Sequence, residues 1–127
     1  MFTVMMRTIL SKNHRYPTVG DWQVKKSKRG IRFLVLASRE LGFDLAFSVM
    51  VHELVEAFLC HKNGVTDEMV TEWDKAHLEA DEPGEVEGCP YAQEHMIAKK
   101  IEFILLEYFG ISEEEYDKKV DSFWGKK

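Results

Sequence analysis

Phe43-Asp44-Leu45-Ala46-Phe47-Ser48-Val49-Met50-Val51-His52-Glu53-Leu54-Val55-Glu56-Ala57-Phe58-Leu59-Cys60-His61 decides the fold. The stretch contains no proline or glycine, and Asn63-Gly64 follows as a stop signal, so one long helix is predicted over residues 43–61. Apolar side chains occupy almost every azimuth of the cylinder, which is the pattern of a helix buried on most sides. His52, Glu53 and Glu56 are then polar groups inside a buried element. A buried carboxylate without a partner costs several kcal/mol or shifts its pKa, so each must meet a charge or a hydrogen-bond donor. The stretch does not read as a membrane span. Asp44, Ser48 and the three site residues interrupt it, whereas a span needs about 18 consecutive apolar residues.

Upstream of this helix the chain reads as strands. Residues 2–10 are rich in β-formers, residues 21–24 alternate, and residues 31–36 form a β-branched and aromatic run. Lys25-Lys26-Ser27-Lys28-Arg29-Gly30 lies between the last two as a turn signal, which predicts a hairpin and a small antiparallel sheet of about three strands. Downstream the reading is helical. A second helix follows Thr66 as N-cap and runs to about Glu79, with Asp67 and Glu68 in its positively polarised first turn. A third opens with Pro90 at its first position and stops at Gly110. Ser112-Glu113-Glu114-Glu115 is a capping box for a fourth, reaching about Phe123. Three strands followed by three to four helices make an α+β fold, a single domain over residues 1–127.

Composition agrees with a globular chain: 127 residues, 45% hydrophobic and 31% charged. Two cysteines are too few for a disulfide framework. Residues 1–7 show no charged leader followed by an apolar block, so a cytoplasmic protein is expected. The net charge of −5 is unevenly spread. Residues 1–39 hold nine lysines and arginines against one acid, and the remainder hold eight against twenty-one. Lys25, Lys26, Lys28 and Arg29 are the one basic cluster and the candidate contact to nucleic acid. No aromatic stacking series accompanies them, so mutual neutralisation of the two halves is the preferred reading.

The third helix carries a matching set of polar residues. Its apolar face is predicted to hold Ile97, Ala98, Ile101, Leu105 and Tyr108. Glu94 falls within that face, and His95 and Glu102 lie at its edge, roughly 20° apart and two turns from one another. Two core helices thus both offer histidine and glutamate inward, which suggests a shared metal or proton network. His52-Glu53-Leu54-Val55-Glu56 is HExxE, one residue away from the HExxH helix of zinc peptidases. In that motif the first and fifth residues ligate the metal and the second activates water. With His95 added, two histidines and one carboxylate are available.

His95 and Glu94 diverge by about 100°, and Glu102 stands about 10 Å from His95 along the axis, so one ion takes only one of the three. His95 is the expected ligand beside His52 and Glu56. Glu94 and Glu102 are expected in supporting roles, with Glu94 accepting from a ligating histidine's second nitrogen. Glu53 is the expected general base. Tyr91, or Lys99, is the expected donor to a developing oxyanion. Asp74 reads as a solvated helix-face acid, and residues 79–87 as a flexible acidic loop bordering the site. A second ligand set of Cys60, His61 and Cys89 has no CxxC pair to support it. Zinc is the expected ion. Iron or manganese in a dinuclear carboxylate site fits less well, because such sites take an ExxH motif from each of two helices.

The motif and its order resemble zincin metallopeptidases. More of the chain resembles a family of small phage and bacterial proteins, through Arg15-Tyr16-Pro17-Thr18-Val19-Gly20-Asp21-Trp22, His52-Glu53-Leu54-Val55-Glu56-Ala57-Phe58-Leu59-Cys60, Trp73-Asp74 and Pro90-Tyr91-Ala92-Gln93-Glu94-His95. The resemblance implies a site shared between the HE and EH segments and a bacterial host cell. The expectation is a zinc-dependent hydrolase acting on peptide or amide bonds. The alternative is a non-catalytic phage-type adaptor that binds a protein partner, its helices clasped by a structural metal or by buried ion pairs.

Overall fold

The most apolar of the three strands takes the middle of the sheet. In a computed structural model, which describes residues 1–124, the strands are β1 (Phe2–Ile9), β2 (Gly20–Ser27) and β3 (Gly30–Ser38), in the order β1-β3-β2. β3 buries Phe33, Val35, Leu36, Ala37 and Ser38, whereas β1 is exposed along most of its length. The predicted hairpin forms: Ser27 pairs with Gly30 and Trp22 with Val35 in an antiparallel ladder. Gly30 turns the chain at φ +121°, and a Cβ there would fall 2.2 Å from the Met1 carbonyl oxygen.

The other edge corrects the all-antiparallel expectation. β1 runs parallel to β3, with Met5 beside Leu34, so the sheet is mixed. Hairpin logic places consecutive strands side by side. Here residues 10–19 are long enough to cross the roughly 10 Å of two strand spacings, and β3 inserts between its predecessors.

The helices are α1 (Phe43–Lys62), α2 (Asp67–Ala76), α3 (Ala92–Phe109) and α4 (Glu113–Trp124). Thr66 caps α2 by accepting from the Met69 amide at 3.2 Å. The capping box of α4 closes reciprocally through Ser112 and Glu115. α2 ends at Ala76, before the expected limit, and Pro90 lies two residues ahead of α3. None of the described helices is long and apolar enough to cross a membrane.

α1 lies between the sheet and α3, but it is not covered all round. Phe43, Phe47 and Phe58 face out, because a three-stranded sheet and one partner helix enclose only part of the cylinder. The inward face of α3 also differs from its apolar pattern. Ile97 and Tyr108 are exposed at 45% and 84%, while Glu94, His95, Ala98, Glu102 and Leu106 are buried. The polar residues win this face because they have partners there. Two apolar clusters result, one around Trp22, Phe33 and Ala57, the other around Leu41, Leu45, Val49 and Leu106. His52 and Glu56 occupy the seam of α1 between Val49 and Ala57.

Candidate metal centre

Four-residue helical spacing puts His52 and Glu56 one turn apart on the inward face of α1, and α3 brings His95 to the same point. His52 Nε2 lies 3.2 Å from Glu56 Oε2, and His95 Nδ1 lies 3.1 Å from that same oxygen. The donor atoms of the three residues are all within 4.8 Å of one another. The imidazoles meet edge to face with centroids 5.0 Å apart. Glu56's other oxygen accepts from Trp22 Nε1 at 3.0 Å, so a neutral donor on β2 fixes the carboxylate.

The electrostatics follow from burial. Desolvation pushes Glu56 up, but hydrogen bonds from His52 and His95 outweigh it and hold the carboxyl at about 2. Burial lowers both histidines, and the carboxylates overcome it. His52 is raised well above its ordinary value by Glu102 and Glu56, and His95 reaches about 9 through Glu56 and Glu82. Glu53 is raised well above the carboxylate range, first by burial and then by Glu56. Its Oε2 is 3.8 Å from His52 Nε2. Gly20 makes room for it, since a Cβ there would fall 2.9 Å from Glu53 Cγ and 2.6 Å from Val49 Cγ1.

Glu102 takes the part expected of Glu94. Glu102 Oε1 stands 2.7 Å from His52 Nδ1, on the side of the ring away from Glu56. Glu94 instead accepts from Asn63 Nδ2 at 2.7 Å, at the C-terminal end of α1, because its 100° divergence from His95 turns it off the centre. Tyr91 lines the cleft, but its hydroxyl donates to Asp74. Asp74 also accepts from Tyr16 at 3.0 Å, and burial pushes it up to about 6. It is a half-buried acceptor, not the solvated acid expected. Lys99 is held by Glu82 at 2.6 Å and by Glu85, facing the acidic loop rather than an oxyanion position.

That loop is built into the site. Residues 83–85 form a short 3₁₀ turn over the imidazole of His95, and Trp73 Nε1 donates to the Pro83 carbonyl at 2.8 Å. A Cβ on Gly84 would fall 2.5 Å from His95 Cγ. His95 Nε2 looks out to Glu82 and Glu85 at 3.5 and 3.6 Å without a hydrogen bond. Glu82, Glu85 and His95 form a second close donor group, more exposed than the first.

Cys60, His61 and Cys89 do not form a ligand group among the described residues. His61 packs edge-on against Phe33, and burial raises the Cys60 thiol. Lys25, Lys26, Lys28 and Arg29 stand exposed at the hairpin. Trp22, Gly20 and Gly84 are the site residues that sequence reasoning missed; only Gly20-Asp21-Trp22 fell within a quoted segment, and no local pattern marked Gly84.

His52, Glu56 and His95 could hold a metal ion such as zinc. Bonds of ~2.0 Å at tetrahedral angles place donors about 3.3 Å apart, close to the 3.1 and 3.2 Å found here. Among the described residues, Glu53, Glu56 and Glu102 have no lysine or arginine in ion-pair contact. A cleft of about 370 Å³ opens beside them. Comparison with protein-family models, curated proteins and solved structures finds no match for this chain.

Proposed function

We propose that the protein is a single-zinc hydrolase of zincin type, acting on a peptide or amide bond. One observation carries the reading: nitrogens from two helices converge on one buried glutamate oxygen, with a second glutamate, Glu53, beside them and a cleft in front. His52, Glu56 and His95 would hold the ion. Bound zinc supplies Lewis acidity toward a carbonyl and lowers the pKa of water. Glu53, whose Oε2 stands 3.8 Å from His52 Nε2, would accept the proton of the attacking water. Glu102 fixes the tautomer and orientation of His52 from behind. Trp22 holds the Glu56 carboxylate in place. The same residues and their order support the likeness to zincins and to small phage proteins.

A second reading rests on the contacts themselves. With both histidines protonated, His52 and His95 close ion pairs to Glu56 and Glu102 without any ion, a clasp between α1 and α3 suited to an adaptor. Elemental analysis of untagged protein separates the two. Stoichiometric zinc is expected, retained in Glu53→Gln while peptide cleavage is lost. Protein that carries no metal and recovers none on adding zinc refutes the hydrolase and leaves the clasp.

A further inference from the structure

α4 closes one side of the cleft and contributes nothing to the metal set. It presents Glu113, Asp117 and Asp121 to the cleft, whose lining carries nine acidic side chains and one lysine, Lys99. Lys99 is already paired with Glu82 and Glu85. Lys99 and a divalent ion together cancel three of those nine formal charges, so an acidic excess persists with the metal in place. An independent feature lies at the floor. Glu102 is 5% exposed, lines the cleft, and has one oxygen, Oε2, that accepts no hydrogen bond of ordinary geometry, with the Tyr116 hydroxyl beside the carboxylate. A buried acceptor short of donors is stabilised by an arriving N–H group.

The field is felt at the rim, where Asp117 is raised by partial burial and then by Glu113 and Asp121. Concave walls of low dielectric focus such a potential, repelling phosphates and acidic peptides and concentrating cations. Phe103 and Val120 line the same cleft and suit the methylene stem of a long basic side chain. Lys99 shows the packing, its Nζ lying 5.4 Å from the Phe103 ring centroid.

We infer that the cleft between α3 and α4 is a specificity pocket for a basic side chain, a lysine or arginine of a peptide substrate, with its charged head toward Glu102 and the α4 carboxylates. The inference rests on the peptide-hydrolase reading for its substrate. The test is direct binding of blocked alanine pentapeptides with a central lysine, arginine, glutamine or glutamate, followed by titration of zinc-loaded protein at low salt. Lysine and arginine peptides should bind about tenfold tighter than the glutamine peptide, the glutamate peptide should not bind, and 0.5 M salt should erase the preference. The double variant Glu113→Gln/Asp117→Asn, altered only at exposed positions, should lose most of the preference while keeping its zinc. Putrescine competing as well as the lysine peptide would point to a free amine and overturn the peptide assignment. Glutamine or glutamate peptides binding as tightly as lysine, or a preference untouched in the double variant, would overturn the pocket. Unloaded protein serves as a separate arm, because its α4 carboxylates and Glu102 line the cleft whether or not an ion is bound. A basic preference there without zinc binding sinks the hydrolase reading and spares the pocket.

Discussion

Gly84→Ala tests the metal centre without touching a ligand. A Cβ at this position would lie 2.5 Å from His95 Cγ and 2.7 Å from both Cδ2 and Nδ1. Ordinary carbon contacts begin near ~3.5 Å, so about 1 Å must be found. The backbone at Gly84 is not left-handed, so alanine meets no conformational penalty of its own. The loop resists moving: Trp73 holds the Pro83 carbonyl, and Lys99 ties down Glu82 and Glu85. The imidazole must therefore give way, and a zinc ligand tolerates only about 0.2 Å. Zinc affinity should fall about a hundredfold, near 2.7 kcal/mol, at the upper end of what supporting residues contribute. Overpacking should cost the metal-free fold about 1–3 kcal/mol. Competition against a chromophoric chelator reads the first quantity, and thermal melting in chelator the second. A folded Gly84→Ala protein that binds zinc as wild type does would refute the reasoning, meaning either that the loop yields instead of the ring or that His95 does not hold the ion in this pose.

The ligand assignment predicts that His95→Ala abolishes stoichiometric zinc, whereas Glu102→Gln keeps it with affinity reduced about tenfold through the lost support of His52. Zinc stripped by Glu102→Gln and retained by His95→Ala, measured on dialysed protein, would reverse the assignment. Asp74 gives a pH prediction. Its folded pKa, about 6, lies above its ordinary 3.8, so the folded state binds the proton more tightly, and stability falls as pH rises from about 4 through about 6. Denaturant titrations of wild type minus Asp74→Asn should show that loss, on the order of 2 kcal/mol; a flat difference refutes it.

Much of this arrangement is legible from periodicity. The length of α1, the caps of α2 and α4, and the convergence of His52, Glu56 and His95 follow from helical spacing and capping chemistry. What escaped was set by tertiary competition. The orientation of β1 depends on how far residues 10–19 reach, which no local pattern encodes. The inward face of α3 was misjudged because hydrophobic periodicity weighs Ile97 and Tyr108 and ignores that Glu102 and His95 have partners waiting on α1. The acidic loop looked solvated because its acids are visible in sequence, while its anchors, Trp73 and Lys99, lie 10 and 17 residues from the groups they bind. Trp22 reads as a core aromatic in a strand; only its indole nitrogen, aimed at Glu56, places it in the site.

The position of the polar seam argues that it is kept for something other than stability. His52 and Glu56 sit where α1 passes from one apolar cluster to the other, between Val49 and Ala57, and both are more than 90% buried. Leucine and methionine there would merge the two clusters into one continuous core, and replacing a buried ion-pair network by packed apolar residues is commonly neutral or stabilising by 1–4 kcal/mol in proteins. Glu53 sharpens the point: it adds a third carboxylate to a space already holding Glu56 and Glu102, against the desolvation and like-charge repulsion that raise its pKa. A clasp needs His52, His95 and one or two carboxylates; it gains nothing from Glu53. A water-activating base beside a metal does need such a group at that distance. The residue that the clasp leaves without a purpose is therefore the one the proposed hydrolase would use.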